Sequence, residues 1–217
     1  MKTNIILVRH GQSMGNANNL LLGHTDMDLS DLGYQQANKT ADFLKNWHID
    51  AVYSSDLMRA KHTAEPNARL RGLKVITSEK LREIFLGEWE NTSAFDVIND
   101  YGDMYVKEWM GGFGTFTMPG GESVIGAGRR FYTEIERISK ENEGKTILVA
   151  AHAAVIRAFC SLVLCIKPEK IAESIAFPTN ASYSLLEYEA DKFKIIEYSC
   201  DSHLSDVGVT GVGGVGK

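Results

Sequence analysis

Residues 146–166 read TILVAAHAAVIRAFCSLVLCI, an apolar run long enough to cross a bilayer, and how it is read decides the fold. His152 and Arg157 interrupt it, and charged groups are costly inside a membrane. Residues 146–151 have the length of a buried strand. Residues 153–165 then fit a helix, with His152 at the junction. A strand passing directly into a helix is the repeating unit of a parallel α/β sheet.

Working outward, the same alternation recurs. Residues 3–8 (TNIILV) are an apolar run of strand length. Residues 31–47 place Leu32, Ala37, Ala41 and Leu44 on one helical face, with Ser30 as N-cap. Residues 50–53 predict a short strand, 56–70 a helix bent or divided at Pro66, and 74–77 another strand. A helix is expected over 122–141. Strands are expected over 182–188 and 193–198, joined by a turn at Glu189-Ala190-Asp191-Lys192. This order predicts an α/β fold, a mostly parallel mixed sheet with helices on both faces. The irregular residues 79–121 predict an inserted lid or cap, bounded at 88–121. The domain expectation is one domain over 1–206 and a disordered Gly/Val tail over 207–217.

The chain has 217 residues, a formal charge of −5, 44% hydrophobic and 24% charged residues. These values exclude a disordered chain, a fibre and a disulfide scaffold. Cys160, Cys165 and Cys200 include no CxxC pair, which fits a reducing cytoplasm. The N-terminal MKTNIILVRHGQS has too short an apolar run for a signal peptide. A cytoplasmic location is therefore expected, with neither nucleic acid nor membrane as partner.

Ligands of doubly wound sheets sit beyond the carboxyl ends of the strands. His10 follows the first strand in LVRHGQS beside Arg9, and His152 follows another in VAAHAAVIR. Arg59, in SSDLMRA, and Glu83, in LREIFLGEWE, follow two more strand ends. Taken singly, each has a structural explanation. Together they describe a phosphate site. Two guanidiniums match phosphate oxygens, a neutral histidine is a nucleophile, and a carboxylate can protonate a leaving alkoxide. None of these roles needs a metal or another cofactor.

These residues lie in six ordered blocks: RHGQSMGN (9–16), LLGHTDMDLSDLGYQQA (21–37), SSDLMRAKHTAE (54–65), LREIFLGEWE (81–90), PGGES (119–123) and AHAAVIRAF (151–159). Together they resemble the histidine phosphatase superfamily, the phosphoglycerate-mutase-like group, over roughly residues 3–198. The resemblance implies a phosphoglycerate-mutase-like fold with His10 as nucleophile, carrying a transient phosphoryl group. It implies that Arg9, Arg59 and His152 hold phosphate oxygens and that Glu83 serves as acid and then base. Asn16 would donate to the phosphate, Gly23 would lie at the substrate mouth, and Ser13 and Ala153 would belong to the binding set. LRE…GEWE and PGGES look closest to broad-specificity and α-ribazole-type phosphatases.

Three positions depart from the family pattern. Ala153 stands where glycine is usual, Asn91 where the motif ends in glycine, and Phe85 where aspartate is common. The first narrows the backbone angles next to the phosphate. Within 88–121, Lys107 faces six carboxylates, and Trp89, Phe95, Tyr101, Tyr105, Trp109, Phe113 and Phe116 supply aromatic surface. An acidic, aromatic cap favours a phosphomonoester hydrolase acting on a small phosphorylated metabolite with little other charge. Mutase-type phosphoryl transfer and an inactive phosphate-binding module are the alternatives. The cap aromatics could instead form the cap's own core or serve a homodimer.

Overall fold

The computed structural model describes residues 1–102 and 104–211. The strands are β1 (Thr3–Arg9), β2 (Leu20–Leu21), β3 (Ala51–Ser55), β4 (Val75–Ser78), β5 (Thr92–Ser93), β6 (Thr146–Ala151), β7 (Tyr183–Glu189) and β8 (Lys192–Cys200). The helices are α1 (Met14–Ala17), α2 (Asp31–Phe43), α3 (Met58–Leu70), α4 (Ala94–Tyr101), α5 (Val124–Glu141), α6 (Ala153–Val163) and α7 (Ile171–Ser174). The main sheet runs β4-β3-β6-β1-β7-β8. The first four of these strands are parallel, and β7 and β8 are antiparallel to their neighbours.

The centre of strand β1, Ile5 to Val8, is apolar because both of its faces are covered. Ile5 and Leu7, with Ile147 and Val149 of β6, join Phe131, Ile135 and Phe159 from α5 and α6. Ile6 and Val8, with Leu148 and Ala150, join Leu44, Val52, Ala64 and Ala68 on the opposite face. The two-residue period of the strand thus sends successive side chains into two different cores. All four parallel strands end on one edge, and that edge carries the residues singled out above.

Local chemistry explains the element boundaries. Ser30 Oγ accepts the Gly33 N–H at 3.1 Å and starts α2 as expected. Pro66 lies inside α3 and does not divide it. The β7–β8 turn places Ala190 and Asp191 at φ of 50° and 57°, the left-handed pair that matches hairpin twist. Short α1 and the β2–β5 pair are too brief to show periodicity and had no sequence signature.

One expectation is corrected. Residues 207–211 are held in place, whereas the sequence predicts disorder from 207. Asn180 donates its N–H to the Thr210 carbonyl at 2.8 Å, and Gln36 Nε2 donates to the Gly208 carbonyl at 2.9 Å. The remainder of the tail, 212–217, lies outside the described residues. The cap contains α4 and a π-helical stretch, Met104–Gly111. Trp89, Trp109, Phe113 and Phe116 are buried and pack on one another. These aromatics are chiefly the cap's own core, because rings placed this close exclude water from one another. Among the described residues no helix is long and apolar enough to cross a membrane.

Candidate active site

A cavity at the carboxyl edge of the parallel strands is lined by Arg9, His10, Ser13, Asn16, Gly23, Arg59, Glu83 and Ala153. His152 does not line the cavity itself but packs on His10, with ring centroids 5.1 Å apart. All nine residues named from the sequence therefore gather at one place, drawn from β1, β3, β4 and β6 and the loops that follow them.

Arg9 ends β1, and His10 is the first residue beyond it. The His10 Nδ1 lies 2.7 Å from the Gly11 carbonyl oxygen. A carbonyl can only accept, so Nδ1 carries the proton and Nε2 keeps its lone pair. Burial, reinforced by the charges of Arg59 and Arg9, holds the His10 pKa well below the ordinary histidine value. Gly11 is required by close approach, since a Cβ there would lie 2.6 Å from the Gly33 carbonyl oxygen. Its N–H donates to Thr63 Oγ1 at 3.0 Å, tying the loop to α3.

The two guanidiniums are anchored by carbonyls. Arg9 Nη1 donates to Pro178 O at 2.7 Å. Arg59 Nη2 and Nη1 donate to Gly23 O and Thr25 O at 2.7 and 2.8 Å. Burial pushes both arginines down to about 10. Arg9 Nε and both ring nitrogens of His152 are buried with no protein partner among the described residues. Buried polar atoms are normally satisfied, and a cluster of such donors beside two cations has the chemistry to hold an anion.

Glu83 occupies the first turn of α6. Its Oε2 accepts the Ala154 N–H at 2.9 Å, and its Oε1 accepts those of Val155 and Ile84 at 2.8 and 2.9 Å. The Ala154 and Val155 N–H groups have no carbonyl within the helix, so one carboxylate both caps α6 and faces the cavity. Ala153 is the first residue of this helix, and the chain enters it through the extended residue His152. Helical backbone suits alanine, so the substitution for glycine brings no strain, and its methyl becomes part of the cavity wall.

Several supporting residues had no sequence signal beyond their place in a motif. Arg130 of α5 donates to the carbonyls of Lys80, Arg82 and Glu83 at 2.9, 3.1 and 3.0 Å and pairs with Glu122. It fixes the segment that carries Glu83. Glu90 accepts the N–H groups of His24 and Thr25 at 2.8 and 2.7 Å, shaping the loop whose carbonyls hold Arg59. In that loop Gly23 has φ +47°, and an added Cβ would lie 1.9 Å from Glu90 Oε1. Arg157 is buried between the rings of Phe113 and Phe177, 4.5 and 4.2 Å from their centroids, and Phe177 walls the cavity. Of the cap aromatics in 88–121, Trp109 reaches the cavity.

Comparison with known proteins identifies the family and the fold. The family model of the histidine phosphatase superfamily (branch 1) matches residues 5–201. Phosphoglycerate mutase-like protein 4 of Arabidopsis thaliana is 34% identical over 97% of this chain and 91% of its own length. Phosphoserine phosphatase 1 of Hydrogenobacter thermophilus is 30% identical over 93% of this chain and 94% of its own. The solved structure of Bacillus stearothermophilus YhfR superposes with a TM-score of 0.87 at 24% identity, covering 94% of this chain and all of that one. That superposition extends the agreement to the whole α/β fold.

Proposed function

This chain belongs to the histidine phosphatase superfamily, and on that premise we propose that it is a phosphomonoester hydrolase working through a phosphohistidine on His10. The observation that carries the reading is the His10 ring. Its Nδ1 proton is spent on the Gly11 carbonyl, its Nε2 lone pair is available, and two cationic guanidiniums flank the same cavity. Nε2 attacks phosphorus as the bond from phosphorus to the alcohol oxygen breaks. Glu83 gives its proton to the departing oxygen, so the first product is a neutral alcohol. In the second half Glu83 takes a proton from water, the water oxygen attacks phosphorus, and the phosphorus–nitrogen bond breaks to release phosphate. Arg9, Arg59, His152 and the amide of Asn16 hold the three equatorial oxygens as charge develops. Ser13, Gly23 and Ala153 complete the binding wall.

Hydrolysis is favoured over mutase transfer by what surrounds this centre. A mutase must hold a second anionic group on its substrate. Beyond the phosphate-facing groups the wall is apolar apart from Asn19, with Leu20, Leu21, Leu86, Trp109 and Phe177 among its members, and its only cations among the described residues are Arg9 and Arg59. An apolar wall suits a monoester with little other charge. Within the phosphatases, LRE…GEWE and PGGES favour the broad-specificity and α-ribazole-like kinds.

The deciding test compares phosphate release from a chromogenic aryl phosphate with isomerisation of 3-phosphoglycerate, run with and without 2,3-bisphosphoglycerate. The expected result is release that His10→Ala abolishes. Isomerisation outpacing hydrolysis would assign the chain to the mutases.

A further inference from the structure

Asn16 faces the cavity with an amide whose two ends look alike in shape but are opposite in polarity. Its Oδ1 accepts the Ser13 N–H at 3.2 Å and Asn180 Nδ2 at 3.1 Å. With both lone pairs used, Nδ2 is the end left to meet a ligand. What fixes that orientation is a chain of side chains that leaves the phosphate loop and returns to it.

The chain begins at the backbone N–H of Gln12, which can only donate, and which reaches Gln36 Oε1 at 2.8 Å. Gln36 Nε2 therefore donates onward, to Thr210 Oγ1 at 3.2 Å and to the Gly208 carbonyl at 2.9 Å. The Thr210 hydroxyl accepts from Gln36, so its single proton goes to Asn180 Oδ1 at 3.1 Å. Asn180 Nδ2 then donates to the His10 carbonyl and to Asn16 Oδ1, both at 3.1 Å. Two carbonyls (Gly208 and His10) and two backbone N–H groups (Gln12 and Ser13) impose the same direction independently. Gln36 and Asn180 are fully buried, so reversing either amide would strand polar atoms without water to replace the lost partners.

We propose that Thr210 and Asn180 are positioning residues for phosphate binding, acting through Asn16 by a one-way hydrogen-bond chain that runs from Gln12 through the C-terminal segment to the substrate. The Gly/Val-rich stretch around Thr210 is then part of the phosphate site, although it touches no ligand. Backbone contact between Asn180 and Thr210 fixes the segment's position, and the hydroxyl links the two amides by accepting from Gln36 and donating to Asn180.

The inference rests on Asn16 being a phosphate ligand of a hydrolase, and the test separates the two claims. Competitive inhibition by inorganic phosphate and turnover of an aryl phosphate are measured for the wild type, Thr210→Val, Thr210→Ser and Asn16→Ala, and for Thr210→Val combined with Asn16→Ala. Thr210→Val deletes the hydroxyl at nearly constant volume and is expected to raise the inhibition constant and KM about fivefold, the scale of one neutral hydrogen bond, with kcat nearly unchanged. Thr210→Ser restores the wild-type value, and in the Asn16→Ala background the Thr210→Val effect disappears. An unchanged constant in Thr210→Val, a failed rescue by serine, or the same fivefold factor without Asn16 would each overturn the inference. A wild type that neither binds phosphate nor turns over substrate would instead overturn the hydrolase reading.

Discussion

The imidazoles of His10 and His152 meet edge to face, with centroids 5.1 Å apart and planes inclined at 61°. Both pKa values are driven well below the ordinary histidine range, first by burial and then by Arg59. Both rings are therefore neutral in the folded protein at neutral pH. His10 is ready to attack, and His152 can donate one N–H without adding positive charge.

This pair contributes to the pH dependence of stability. When a folded-state pKa is depressed, the unfolded chain takes up the proton first as pH falls below about 6.5. Stability should thus be greatest above that value and decline as the solution is acidified, each ring contributing up to about 1.4 kcal/mol per pH unit. Urea unfolding at pH 7 and 5.5 measures the slope. His152→Ala should flatten it by about one proton, and an unchanged slope would show that the histidine is not held neutral.

Arg9 and Arg59 are buried cations whose guanidiniums rest mainly on carbonyls. An anion that compensates them should stabilise the fold. Inorganic phosphate or vanadate is expected to raise Tm, with a gain of about 2.7 kcal/mol at a hundred times Kd. Arg59→Met should abolish that ligand-induced gain. A ligand response that survives in the variant would place the anion elsewhere.

Much of this was legible in the sequence because the fold and the site use different signals. The strands show as apolar runs, since β1 and β6 are covered on both faces. The site residues show as motifs at strand ends. The supporting partners do not show, because Asn180, Gln36 and Arg130 act over separations such as 164 residues from Asn180 to Asn16. No local pattern encodes such a pairing. The tail misled for a related reason. Its glycines and valines have no amphipathic period, and it is held by two buried amides from distant elements. The cap aromatics announced an apolar cluster, but composition does not tell which rings turn inward.

Glu83 holds α6 and lines the cavity, so capping and the proposed proton transfer should separate by substitution. Glu83→Gln keeps one acceptor oxygen and is expected to cost about 1 kcal/mol of stability while slowing turnover by a hundredfold or more. Glu83→Ala should lose the cap as well and destabilise further. Thermal melts read the first effect and kcat the second. Turnover near wild type in Glu83→Gln would remove the carboxylate from proton transfer.

Ala153→Gly restores the residue usual in the family at the first position of α6. The alanine is already in helical backbone, so phosphate affinity should stay within about twofold and stability should fall by no more than about 1 kcal/mol. Isothermal titration with inorganic phosphate checks this. A large gain in affinity would mean that the methyl obstructs the anion.

The central claim is a covalent phosphoryl group on His10. Glu83→Gln, which should leave attack possible and slow the water step, is mixed with an aryl phosphate, quenched at alkaline pH, digested and analysed by mass spectrometry. One phosphoryl group should appear on the peptide that carries His10, and it should be absent when His10→Ala is added. Phosphate release without any adduct, and undiminished by His10→Ala, would contradict the account.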